Sequence, residues 1–391
     1  MVADELYIAM NELVQNVDTR FKRYLYSEIA WDARMIGLMG PRGVGKSTLL
    51  LQRIKEMKGM GKCLYVSADN LYFSNHTLVD LSNDFAKEAG THLLIDEVHK
   101  YQGWSRELKN IYDMHPNMRI VFTGSSILDI MQGEADLSRR ALMYNMQGLS
   151  FREFLDLRYG IATPQLSTDV IVAGNIVIDG LPHPLPLFRE YLRQGYYPFS
   201  AEPGFSQRLQ QTVSQTIEVD IPSFADMRPS TAVKFKRLLA IIAQLAPYKP
   251  NMSHLATSIG VSKNNIQDYI AYLERAGLLM QLRNDVGGLR ELGKVEKVYI
   301  DNPNLMYALG EEAPNIGNLR ETFFFNQMRV RNKVLNSAIS DFTVDDRTFE
   351  VGGRNKGQRQ IADVSNAYVV KDDIEYSYSN VLPLWYFGLN Y

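Results

Sequence analysis

The run Gly40-Pro41-Arg42-Gly43-Val44-Gly45-Lys46-Ser47-Thr48 fits G-x-x-x-x-G-K-[ST], a pattern whose chemistry is phosphate binding. Its glycines let the backbone curl until its N–H groups face phosphate oxygens, and a helix starting there adds the positive end of its dipole. Lys46 would neutralise the outer phosphates and Ser47 would ligate Mg²⁺. A second constellation, Leu93-Leu94-Ile95-Asp96-Glu97, is an apolar run ending in two acids. Asp96 would hold Mg²⁺ together with Ser47, and Glu97 would polarise an attacking water as general base. Each run has a plainer reading by itself: a glycine turn between a strand and a helix, and a strand ending in two solvated acids. Their order in one chain favours the phosphate chemistry.

That chemistry needs a sheet to present it. The apolar run 35–39 reads as a buried strand before the glycine loop, and residues 48–57 as the helix after it. Residues 62–67 read as a second strand, 78–90 as an amphipathic helix with Gly90 as its C-cap, 91–97 as the strand ending in the two acids, and 101–112 as a turn and helix. A further strand, 119–123, ends in Thr123-Gly124-Ser125-Ser126. If it neighbours the first strand, Thr123, Ser125 and Ser126 are candidates to sense the γ-phosphate; capping of a following helix is the alternative for the serines. Arg139 and Arg140 precede a fifth strand, 141–146, and would reach phosphate from their own subunit or a neighbour, or else be solvated surface arginines. Ser150 and Glu153 form a capping-box pattern opening a helix at 151, and residues 1–33 read as two short helices.

Composition sets outer bounds. The 391 residues suggest two to three domains, and 46% hydrophobic with 22% charged residues calls for packed cores rather than disorder. A net charge of −2 excludes a wholly basic nucleic-acid surface, leaving only a local patch. One cysteine, Cys63, excludes an intrachain disulfide framework and suits the cytoplasm; inside an apolar run it reads as an inert thiol. No basic start with a long apolar core opens the chain, and no apolar run approaches ~18 residues, so neither a signal peptide nor a membrane partner is expected.

Four segments in order, Gly-Pro-Arg-Gly-Val-Gly-Lys-Ser, Ile-Asp-Glu-Val-His-Lys, Phe-Thr-Gly-Ser-Ser and Gly-Leu-Ser-Phe-Arg-Glu-Phe, resemble the AAA+-type P-loop ATPases of bacteria and archaea that carry a C-terminal domain of unknown function. That tail domain is similar to restriction-endonuclease-like folds. The resemblance spans nearly the whole chain and is most specific in the first 155 residues.

The expected fold is α/β: a P-loop domain over 1–155 with a parallel sheet, a helical lid over 156–248, a winged helix over 249–300, and a nuclease-like α/β domain over 301–391. Residues 171–180 read as a strand pair or weak helix, 182–186 as a linker, and 209–221 and 233–245 as amphipathic helices. In the winged helix, a helix and turn over 252–261 lead to Ser262 as cap, a second helix over 263–276, a strand from 277, and Gly287-Gly288 at a hairpin tip. Six Lys/Arg against five Asp/Glu over 251–300 make a weak basic face, so duplex DNA and packing against another domain or subunit stay open.

Residues 321–328 read as a helix, and 341–344 with 347–351 as a hairpin turning at Asp345-Asp346. An endonuclease-like site would need Asp341 and Glu350 to share a metal and a nearby lysine to assist water. Position 352 is glycine, so Arg354 or Lys356 would have to substitute. The apolar end, 382–389, should dock on the core. The function these features imply is hydrolysis of ATP to ADP and phosphate with Mg²⁺, coupled to DNA association or remodelling. The alternatives are a nucleotide-dependent assembly switch acting on a protein partner, or an ATP-gated metal-dependent nuclease; a homo-oligomer is compatible with each.

Overall fold

The computed structural model describes the chain except residues 58–60, 125–136, 138, 225–226, 228–229, 285–293, 311–312, 355, 358 and 360. It divides into two compact units, Met1–Gln147 and Gly148–Tyr391.

The first unit is built on a five-stranded parallel sheet in the order β2-β3-β4-β1-β5. The strands are β1 (Met35–Met39), β2 (Lys62–Ser67), β3 (Gly90–Asp96), β4 (Arg119–Thr123) and β5 (Leu142–Asn145). Their apolar residues are buried nearly throughout the central three, as a sheet covered on both faces requires. Helices α1 (Asp4–Asn16), α2 (Lys46–Glu56), α3 (Leu78–Lys87) and α4 (Trp104–Met114) accompany it. The second helix expected before residue 33 is only a 3₁₀ turn, Tyr24–Ser27.

Gly90 is not a helix cap. Helix α3 ends at Lys87 with Glu88 as its C-cap, and Gly90 begins β3, where a Cβ would lie 2.5 Å from the Phe85 ring. The glycine is there because the ring occupies that space. The capping boxes at Thr77/Asp80 and Ser150/Glu153 are both formed.

The second unit starts at Gly148, before the expected boundary at 155. The reason is that Ser150 Oγ donates to Tyr391 O at 2.7 Å and Phe151 N to Gln327 Oε1 at 3.3 Å, so helix α5 (Phe151–Tyr159) is fastened there. The segments expected as lid, winged helix and C-terminal domain all lie within this unit. Of the two readings of 171–180, the helix is the one present: α6 (Thr168–Ala173) takes in its first three residues, and no strand forms in the rest. The expected linker is partly helix α7 (Pro184–Gln194), which starts on a proline whose missing N–H costs nothing in a first turn. Helix α8 (Phe205–Gln215) passes through a π turn, Thr216–Asp220, into α9 (Ile221–Phe224), followed by α10 (Ser230–Leu245).

Next come α11 (Met252–Ile259), a turn with Gly260 at φ 73°, and α12 (Lys263–Arg275), capped by Ser262. Strands β6 (Leu279–Arg283) and β7 (Val295–Ile300) pair antiparallel; Gly287-Gly288 lie outside the described residues. After α13 (Pro303–Leu309) and α14 (Ile316–Met328), a second five-stranded sheet runs β12-β11-β10-β9-β8. Its strands are β8 (Val334–Asn336), β9 (Phe342–Val344), β10 (Arg347–Gly352), β11 (Ala367–Lys371) and β12 (Val381–Pro383). The hairpin at Asp345 is present, with Asp345 at φ 54°, and the apolar end Leu384–Leu389 is buried in full.

Candidate active site

The parallel register puts the chemistry on one edge of the first sheet. Leu38 on β1 is level with Thr123 on β4, and Ile95 is level with Phe122, so Asp96 ends β3 beside Thr123. The glycine loop follows β1 on that same edge. Gly40, Gly43 and Gly45 take φ of 147°, 78° and 98°. At Gly40 a Cβ would sit 2.2 Å from Met146 O, so a side chain there is excluded by backbone. Gly45 is the N-cap of α2 and no side chain caps that helix, so its first-turn N–H groups face an anion position. Lys46 is buried at 4% exposure, and its Nζ donates to the Gly40 and Pro41 carbonyls at 2.8 Å each.

The acid side is a connected set. Thr123 is fully buried; its hydroxyl donates to Asp96 Oδ1, and its oxygen accepts the Glu97 N–H at 3.2 Å. Tyr65 OH donates to Asp96 Oδ2 at 2.8 Å, and burial beside that carboxylate pushes the phenol far above its ordinary value, keeping it a donor. Glu97 sits at φ 54°, in the left-handed region, and its Oε2 lies 3.3 Å from His99 Nε2. Neither Tyr65 nor His99 belonged to the expected site; each stands near an expected residue only through strand order or a turn.

Arg139 and Arg140 are not brought to the loop. They precede β5, and Leu142 is level with Ile36, which puts them on the opposite edge of a parallel sheet, on the order of 15 Å along the strands from Gly40. Arg140 pairs bidentately with Asp113 at 3.0 Å on each oxygen. Ser125 and Ser126 lie outside the described residues. Cys63 is half-buried and burial pushes its thiol up.

The loop fits a nucleotide's phosphates by its own geometry: three glycines at positive φ, a first turn without a side-chain cap, and a buried ammonium that donates to two carbonyls of the loop itself. Asp96 is buried at 4% exposure and held by two hydroxyl donors, which suits a carboxylate facing a metal through its remaining lone pairs.

Residues 32–155 match the family model described as an AAA domain. The match supports an AAA+-type ATPase reading of that part of the chain. Residues 185–315 match a domain of unknown function, DUF8612, which covers the helical segments and the β6–β7 hairpin rather than the last sheet. An uncharacterized protein of Methanocaldococcus jannaschii, MJ1637, is 28% identical over 272 residues, 63% of this chain. The chain spans 56% of that relative's length. Among solved structures, the Walker-type ATPase PABY2304 of Pyrococcus abyssi is similar at 15% identity and a TM-score of 0.48, over 76% of this chain and 99% of that one. AMPPCP-bound DnaA from Aquifex aeolicus is similar at 13% identity and a TM-score of 0.28, over 70% and 89%. No helix among the described residues is long and apolar enough to cross a membrane.

The second unit holds a separate titratable cluster. Lys356 Nζ meets Glu350 Oε1, and Ser340 Oγ donates to Glu350 Oε2. Asp341 Oδ2 accepts the Val351 N–H at 2.9 Å, and its Oδ1 lies 3.6 Å from Lys297 Nζ. Lys297 also donates to Glu321 at 3.1 Å, and Tyr299 OH to Glu321 at 2.8 Å. A Cβ on Gly352 would lie 2.5 Å from the Lys356 side chain, so the lysine stem crosses the place where a side chain at 352 would start. Arg354 is exposed. Burial, then the charges of Glu321 and Glu350, push Asp341 up to about 6. Among the described residues, no group of three or more His, Cys, Asp or Glu is gathered as a metal would need.

Proposed function

We propose that the first unit binds ATP with Mg²⁺ and hydrolyses it to ADP and phosphate. The observation carrying this reading is the junction of Asp96, Thr123 and Glu97 on the sheet edge from which the glycine loop springs. Bound Mg²⁺ would neutralise charge on the phosphate oxygens. Ser47 and Asp96 are the residues to hold it, and the backbone N–H groups of Gly43 to Thr48 cradle the phosphates. Lys46 exchanges its two carbonyl partners for phosphate oxygen. Glu97 accepts the proton of the attacking water, with its backbone fixed through Thr123. The test is the steady-state ATPase rate with Mg²⁺ beside Glu97→Gln. Loss of turnover with ATP binding kept supports the roles; unchanged turnover rejects Glu97 as base.

The hydrolysis is coupled to duplex DNA through α11, α12 and the β6–β7 hairpin, read as a winged helix. Supporting this, α12 presents Lys263, Asn264 and Gln267 to solvent, and amide side chains suit base edges in a major groove. Duplex DNA that raises the rate several-fold supports the coupling. A rate indifferent to DNA, with a mass in solution that differs between ATP and ADP, moves the reading to a switch acting on a protein partner.

A second reading is a nuclease in the last sheet, favoured by one contact: Lys356 reaches Glu350 from the loop. Asp341 and Glu350 would share the metal, displacing the lysine ammonium groups that now lie against them. Cleavage of DNA with Mg²⁺ or Mn²⁺ that is lost in Glu350→Ala supports it, and no cleavage under either metal rejects it.

A further inference from the structure

Arg23 lies outside every motif, yet it is the buried cation beneath the glycine loop. It is 5% exposed, and its guanidinium spans two carbonyls far apart in sequence. Nη1 donates to Val44 O, inside the loop, and Nη2 donates to Gln147 O at 2.7 Å. The segment leading to it is strapped along the loop's own helix. Gln52 Nε2 donates to Asp18 O at 2.7 Å and Phe21 O at 2.8 Å, and Lys55 Nζ to Val17 O at 2.8 Å. Arg53 stacks on Trp31 at 4.9 Å.

The Val44 carbonyl needs this donor. An anion-binding loop turns its N–H groups inward, so its carbonyls must turn outward, and Val44 is fully buried, where an unpaired carbonyl is costly. Glycines at φ 78° and 98° flank Val44, and glycine peptides rotate with little steric cost. Rotation of the Val44–Gly45 peptide would withdraw the Gly45 N–H from the phosphates and present an oxygen to them. The fork of Arg23 opposes that rotation from below and sets a positive charge under the site. Its other arm grips Gln147, where the chain leaves the first unit, one residue after the Met146 carbonyl that lies against Gly40.

We propose that Arg23 is a positioning residue: it holds the phosphate loop in its anion-binding form and ties that form to the chain at Gln147. This rests on the nucleotide reading above. The test uses the full chain, a fluorescent ATP analogue with Mg²⁺, and two variants. Arg23→Met removes charge and fork; Arg23→Lys keeps the charge as a point donor. Affinity is expected to fall about tenfold or more in Arg23→Met, as for loss of charge-assisted hydrogen bonds, and to recover in part in Arg23→Lys. The effect should lie in KM more than in kcat. Amide hydrogen exchange over residues 145–149 should slow on nucleotide binding in the wild type and not in Arg23→Met at saturating nucleotide.

A wild-type chain that binds no nucleotide overturns the nucleotide reading and this inference with it. Wild-type binding that Arg23→Met matches within about twofold overturns the inference alone. If Arg23→Met also melts early, Arg23→Lys decides. An Arg23→Lys chain with a wild-type melting temperature and an affinity between those of the wild type and Arg23→Met supports the inference; full wild-type affinity in Arg23→Lys overturns the need for the fork, and a 145–149 response kept in both variants overturns the tie to Gln147.

Discussion

Thr123 donates its hydroxyl hydrogen to Asp96 and accepts the N–H of Glu97, so one side chain fixes both the candidate metal ligand and the candidate base. Thr123→Val keeps the volume and removes both bonds. With Thr123 fully buried, the loss is expected to cost about 1–3 kcal/mol of stability. Turnover should fall roughly 10–100-fold, since Glu97 is held in a left-handed backbone conformation that the Thr123 bond helps to maintain. Thr123→Ser should retain most of both. Denaturant unfolding and steady-state turnover on the three proteins check this, and a Thr123→Val enzyme with the wild-type rate would remove Thr123 from the site.

Gly40→Ala tests the loop from its other end. A methyl group there meets the Met146 carbonyl at 2.2 Å, and φ of 147° is hostile to any side chain. Backbone must shift, and the shift moves the start of the loop. The expected outcome is nucleotide affinity lowered by about tenfold or more, with a stability loss of roughly 1–3 kcal/mol. Isothermal titration with ATP and Mg²⁺ measures the first, and thermal unfolding the second.

The loop, the acids at the end of β3 and the strand carrying Thr123 were legible because each is a local pattern: glycine spacing, an apolar run, a polar break. Strand order is not local. That β4 stands between β1 and β3, and so delivers Thr123 to Asp96, depends on pairings between residues up to 85 positions apart, such as Met35 with Ile120. Arg23 was invisible for the same reason, since its partners lie 21 and 124 residues away. Gly90 misled because a glycine after a helical run fits a C-cap equally well; only the Phe85 ring shows why it is there. Lys356 was one of two candidates until the chain path over Gly352 separated it from Arg354.

Arg140 makes a separable prediction. Its bidentate pair with Asp113 is partly exposed, at 27% and 46% of the side chains, so the coupling in a double-mutant cycle should stay under about 1 kcal/mol. Arg140→Ala and Asp113→Asn should therefore have similar, non-additive effects on unfolding. If Arg140 serves a neighbouring subunit's phosphate instead, turnover will fall in Arg140→Ala at concentrations where the chain assembles and will hold in Asp113→Asn.

Asp341 gives the pH dependence. Burial foremost, with Glu321 and Glu350 as like charges and Lys297 as a partial offset, raises its carboxyl from 3.8 to about 6. An acid raised on folding binds its proton more tightly in the folded chain. Its stabilising contribution is complete below about pH 3.8 and is lost as the pH rises through about 6. Asp341→Asn, which keeps an oxygen for the Val351 N–H, should therefore be more stable than wild type at pH 7.5, by about 3 kcal/mol, with the two converging near pH 4. A divalent metal held by Asp341 and Glu350 would favour the ionised carboxyl instead. Mn²⁺ would then raise the melting temperature of the wild type at pH 7.5 and leave Asp341→Asn unmoved. Melting curves at pH 4 and 7.5, with and without Mn²⁺, separate a desolvated structural acid from a metal site: equal shifts in both proteins leave Asp341 as the former.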